Sequence, residues 1–309
     1  DASWSRGLGD VYKRQGKGTN WFFSISVVAV TKTWRLTSTI TDDMSDIFKR
    51  LMHADDVNLS VFLTAGYPNM TACGHLIELL ARHPAVSFVE LGMPFSDPLA
   101  DGPTIQRASE IALKQGTRLD DVLSLSKQFR SICDKPLMLM GYCNPVYRRG
   151  VERFVKEARA AGASGLILPD LPYESYSRDF AEALGQEGLS MSFFVSPTST
   201  KEGIERAFET STAFVYGVAN VGLTGDIPSM DRGDFFRGLQ NHRARCPIVA
   251  GFGIATPEDV NGLTGLVDGA IVGSAFLRAL EPKNESMLDT TSIVQRAEDF
   301  LEPFNLNLK

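Results

Sequence analysis

From Asn58 onward the chain alternates between two patterns. Short apolar runs occupy 59–65, 86–91, 136–140, 165–168, 190–195, 213–218, 247–250 and 269–272. Several are continuous rather than alternating, as expected of strands covered on both faces. Between them lie stretches whose apolar residues return every three or four positions, at 70–82, 119–133, 151–161, 176–187, 201–209, 233–243 and 257–263. These predict helices. Another helix is expected from Pro103, and 293–306 reads as a closing C-terminal helix. Proline and glycine mark the strand ends, as in Gly66-Tyr67-Pro68 and Gly251-Phe252-Gly253. Eight strand-then-helix units match a single (β/α)8 TIM barrel with extra helices. A doubly wound open sheet is the alternative. The barrel is favoured because the units reach eight and no run reads as an edge strand.

Residues 1–43 lack this alternation and contain no methionine before Met44. Their apolar run, 21–30, is too short to span a bilayer, and no small-residue cleavage site follows it. The segment 5–15 resembles translated adapter sequence. The expectation is that 1–43 is an extraneous or disordered extension, with Met44 the natural start and 44–309 one catalytic domain. A transit peptide is the alternative.

Composition narrows the function classes. Of 309 residues, 43% are hydrophobic and 22% charged, ordinary for a globular enzyme. The net charge of −6 comes without a basic run, which argues against nucleic acid as a partner. Cys73, Cys133, Cys143 and Cys246 show no metal-ligand spacing and read as reduced thiols of a cytoplasmic protein. His53, His75, His83 and His242 lie away from strand ends and read as surface residues. No metal cluster is expected.

The most informative stretch is 89–106, where a strand carrying Glu90 near its end gives way to a loop stiffened by Pro94, Pro98 and Pro103. A charged residue near the end of a buried strand is costly without a task or a partner. Strand C-termini carry the chemistry of barrels, so Glu90 reads as functional, against pairing with an arginine. Asp101 fits a functional acid and a helix cap equally. Asp97 and Asp170 read as loop-structuring residues. Three glycine-containing loops follow strands six to eight: 221–225, 251–253 and Gly273-Ser274-Ala275. Glycine lets backbone N–H groups approach an anion, and Ser274 could cap a helix there. No Lys or Arg lies in these loops, so phosphate binding is expected to rest on dipoles and neutral donors.

These motifs together resemble the tryptophan synthase alpha chain family. The resemblance is carried by 90–106, by Phe62-Leu63-Thr64-Ala65-Gly66-Tyr67-Pro68, Tyr142-Cys143-Asn144-Pro145, Pro169-Asp170-Leu171-Pro172, Tyr216, Gly222-Leu223-Thr224-Gly225, Gly251-Phe252-Gly253-Ile254 and Gly273-Ser274-Ala275. It departs at Ala219-Asn220 and Leu223. It implies retro-aldol cleavage of indole-3-glycerol phosphate to indole and glyceraldehyde 3-phosphate. Glu90 would move protons and Asp101 would steady the indole N–H. Phe62 and Tyr142 would line the site, and Tyr216 would orient Glu90 or line it. Thr224 would reach Asp101, and Gly225, Gly253, Gly273 and Ser274 would hold the phosphate. The resemblance further implies no cofactor in this chain and a heterotetramer with a beta chain that carries pyridoxal phosphate. Two rival readings are a barrel for another phosphorylated metabolite and a non-catalytic activator of a beta chain.

Overall fold

The computed structural model of the chain describes Phe48 and residues 57–218, 232–281 and 289–307. Eight parallel strands close in sequence order: β1 Asn58–Thr64, β2 Val86–Gly92, β3 Leu137–Met140, β4 Gly165–Ile167, β5 Ser190–Val195, β6 Val215–Val218, β7 Ile248–Gly251 and β8 Gly269–Val272. β1 pairs with β8, Val61 standing opposite Val272, so the sheet has no edge and the open-sheet alternative fails. Around it run α1 Met70–Arg82, α2 Pro103–Lys114, α3 Leu119–Arg130, α4 Cys143–Arg149, α5 Val151–Ala160, α6 Ala181–Glu187, α7 Lys201–Thr210, α8 Arg232–Leu239, α9 Pro257–Asn261, α10 Ser274–Ala279 and α11 Thr290–Leu301.

Every expected strand is present, with shifts at the ends. The expected helix 176–187 is a π-helical stretch, Tyr176–Phe180, followed by α6. The closing helix begins earlier than expected, where Asp289 accepts from the Ser292 N–H. It ends at Leu301, and a 3-10 stretch Glu302–Asn307 takes over around Pro303, whose ring leaves no N–H for the α-ladder. Of the histidines, His75 is exposed, whereas His83 and His242 are half-buried at helix-to-strand turns, away from the strand C-termini. The pKa of His83 is lowered, first by burial. His53 lies outside the described residues.

The strand period of two sets what the barrel interior holds. Glu90 registers with Phe62 on β1 and Met138 on β3. Phe88, two residues earlier on β2, meets the Phe214 ring at 5.6 Å, and both meet Phe48, at 6.0 and 5.7 Å. This aromatic cluster fills the barrel on the N-terminal side of Glu90. The loops after the strand C-termini form the opposite mouth. Among the described residues, no helix is long and apolar enough to cross a membrane.

Candidate active site

Glu90 is fully buried near the C-terminal end of β2. Neither of its carboxyl oxygens has a hydrogen-bond partner among the described residues. The arginine pair that would have made it structural is therefore not found there. An ionised carboxylate in such surroundings is strongly disfavoured, and burial alone raises its pKa from 4.5 to about 8. At neutral pH Glu90 is a neutral acid able to donate a proton. Tyr216 does not hydrogen-bond to it. Its ring stacks on Phe194 at 4.7 Å and lines a cavity at the C-terminal mouth. Gly251 makes room for that ring, because a Cβ there would stand within 2.5 Å of the Tyr216 hydroxyl oxygen.

Asp101 is only 6% exposed, although it sits in the loop after β2. It does not cap α2: Gly102 holds the N-cap position. The Tyr142 hydroxyl organises the loop instead, donating to Asp101 Oδ2 at 3.1 Å and accepting the Ala100 N–H at 3.0 Å. Phe95 stacks on the Tyr142 ring at 5.2 Å. Burial raises the Asp101 pKa to about 7, and the Tyr142 hydrogen bond works against that rise. Tyr142→Phe should therefore move the acid limb of the pH–rate profile to higher pH and destabilise the fold by about 1–3 kcal/mol, since the Ala100 N–H loses its acceptor. An acid limb left in place would show that this hydroxyl does not tune Asp101.

Asp170 has the structural role expected of it. It accepts the Cys143 N–H at 2.9 Å and so holds the start of α4 beside Tyr142. Asp97 accepts from Ser96 Oγ at 2.5 Å, as a loop acid does.

A cavity of about 420 Å3 at the C-terminal mouth is lined by Phe62, Met140, Tyr216, Gly253, Gly273 and Ser274, with Phe62 packed beside Gly273. A small recess lined by Asp101 and Tyr142 shares Phe62, Ile105 and Met140 with it. Glu90 lies beneath, lining neither. Apolar walls thus lead from Asp101 to a glycine-rich rim. At that rim Phe252 and Gly253 both adopt left-handed backbone, with φ of 70° and 75°. A β-branched residue at 253 is strained by about 1–2 kcal/mol and crowds the rim. Gly253→Val should raise KM for a phosphorylated substrate, and an unchanged KM would count against an anion there.

Two expectations about this rim are corrected. Ser274 does not cap α10: Gly273 occupies the N-cap position with no side-chain cap, and Ser274 is the first helical residue. The glycine loops carry no Lys or Arg, as expected, but neutral donors are not the sole groups at the cavity, because Arg278 on α10 lines it too. Sequence reading missed it by inspecting only the glycine loops. Its spacing of four from Ser274, one helical turn on the same face, was the available signal. Ile105 and Met140 were missed as well, although Met140 is the last residue of β3. Thr224 and Gly225, with the rest of 219–225, lie outside the described residues.

Fold and site together define a (β/α)8-barrel enzyme with two buried acids near the C-terminal ends of its strands. A sequence model of the family described as "Tryptophan synthase alpha chain" matches residues 48–303. The alpha chain from Geobacter sulfurreducens is 40% identical over 235 residues, covering 76% of this chain and 88% of that protein. The one from Flavobacterium psychrophilum is 36% identical over 239 residues, covering 77% and 94%. In three dimensions the chain is similar to tryptophan synthase from M. tuberculosis in its open form, with a TM-score of 0.72, 29% identity and coverage of 85% and 96%. It is also similar to the tryptophan synthase complex from Pyrococcus furiosus, with a TM-score of 0.69, 32% identity and coverage of 81% and 98%. The chain belongs to the tryptophan synthase alpha chain family.

Proposed function

We propose that the chain is a carbon–carbon lyase that cleaves indole-3-glycerol phosphate into indole and glyceraldehyde 3-phosphate. The observation that carries this reading is Glu90, a buried acid held neutral near pH 7 at the strand C-termini. Glu90, which lies beneath the cavity, turns toward the bound ring and delivers its proton to indole C3. As that carbon becomes tetrahedral, positive charge develops on the ring nitrogen, and ionised Asp101 accepts the N–H and stabilises it. The C3–C3′ bond then breaks, its electrons restoring the aromatic ring. C3′ becomes an aldehyde carbon as its hydroxyl loses a proton, which Glu90, now a carboxylate, takes back. No net proton is consumed. Phe62, Met140 and Tyr216 exclude water and hold the ring, while Gly253, Gly273 and Ser274 face the phosphate. Thr224 and Gly225 complete this assignment from the family motif.

The chain needs no cofactor for these steps. Its partner in this reading is a beta chain carrying pyridoxal phosphate, in a heterotetramer of two alpha and two beta chains. The loop 94–98 and the segment 144–149 are the contact surface. Two observations support that choice. A cavity of about 620 Å3 opens between the two segments, lined by Pro94, Phe95, Asn144 and Pro145. Among the described residues the exposed large apolar side chains, Leu99 and Tyr147, lie beside the first segment and within the second. The four cysteines are free thiols, in keeping with a cytoplasmic setting. The full chain, given indole-3-glycerol phosphate with and without a beta chain, should release indole. A different product, or none in either condition, would reject the reading.

A further inference from the structure

We infer that Arg278 is the charged, specificity-determining member of the anion clamp, selecting a dianionic substrate over its uncharged counterpart; this rests on the cavity being the substrate site. Gly253, Gly273 and Ser274 offer the rim only neutral donors. α10, with six residues, adds little dipole. Arg278 follows Ser274 by one turn, and side chains on a helix lean toward its N-terminus. The Arg278 side chain therefore leans toward the start of α10, and it lines the same cavity as Ser274 and Gly273.

Its far end is also placed. Nη1 lies 3.4 Å from Thr104 Oγ1 in the first turn of α2, three residues after Asp101. Arg278 thus reaches from α10 to the first turn of α2, the helix that follows the loop carrying Asp101. Among the described residues it has no carboxylate within ion-pair distance. Arg232, the other arginine nearby, differs: it donates to the Gly253 carbonyl at 3.1 Å and lies 3.8 Å from Asp259. Its charge is answered within the protein, whereas no carboxylate among the described residues answers that of Arg278. A planar guanidinium fork matches two phosphate oxygens, and because this one is exposed its pull is screened by salt.

The test uses the full chain with Arg278→Gln and Arg278→Lys, measuring kcat and KM for indole-3-glycerol phosphate. Inorganic phosphate serves as a second probe, with its binding followed by calorimetry. In Arg278→Gln, KM and the phosphate Kd should each rise about tenfold while kcat changes less than about twofold, and Arg278→Lys should recover most of the loss. Raising NaCl should weaken phosphate binding more in the wild type than in Arg278→Gln. Unchanged KM and Kd in a normally folded Arg278→Gln would overturn the inference. So would a wild-type phosphate Kd independent of salt, a result that stands even if the glutamine variant fails to fold. A wild type that binds phosphate but releases no indole defeats the proposed reaction and leaves the role of Arg278 in anion binding to be decided by the phosphate arm.

Discussion

Glu90→Gln should lower indole release at saturating substrate by about 10²–10⁴-fold, the range a positioned acid–base group supplies. Glutamine keeps the shape of the side chain but can neither give nor take the proton. The fold should survive, because the native Glu90 is itself neutral where it sits. Stability gives an independent check. The Glu90 pKa is about 8 in the folded chain against an ordinary 4.5, so below pH 4.5 both states hold the proton. As pH rises from there toward 8, the unfolded chain ionises while the folded chain does not, and the wild type loses stability. The melting temperature of Glu90→Gln should therefore gain on that of the wild type across this window and stop gaining above it. Substantial retained turnover would remove Glu90 from the proton path. A pH-independent melting difference would show that Glu90 is not held neutral.

Asp101→Asn should reduce kcat by about 10²–10³-fold, as loss of a stabilising group aimed at transition-state charge does, with a much smaller change in KM. Asparagine keeps an acceptor for the Tyr142 hydroxyl, so the loop should hold its form while the negative charge disappears. The pH profile separates the two acids. The productive form has Glu90 protonated and Asp101 ionised. With pKa values of about 8 and about 7, kcat/KM should peak between them and fall on both sides. Asp101→Asn should remove the acid limb from whatever activity remains and spare the alkaline one. An effect confined to KM would make Asp101 a binding residue only.

The fold was legible because parallel strands covered on both faces write themselves as unbroken apolar runs. The run at 190–195 coincides with β5 for that reason. Helix ends were harder to read. α4 is seven residues long, shorter than the window a helical period needs, and the π-helical stretch at Tyr176–Phe180 keeps an amphipathic pattern that looks like one helix. A candidate site was legible where a residue type conflicted with its surroundings, as a glutamate does in a buried strand. The depth of Glu90 below the cavity was not, since register places a side chain inside the barrel without showing whether it meets the opening. The Tyr142 contact with Asp101 joins positions 41 apart in sequence and leaves no local pattern. Arg278 was hidden because it lies on α10, outside the glycine loops, and meets the cavity only through the packing of α10 against α2.

The most direct test of the central claim is a carboxyl 13C NMR titration of the full chain labelled at glutamate, with Glu90 assigned by the resonance missing in Glu90→Gln. The account predicts a Glu90 midpoint near pH 8. A midpoint at the ordinary 4.5 would contradict it, because the buried carboxyl would then be ionised at neutral pH and would have no proton to deliver.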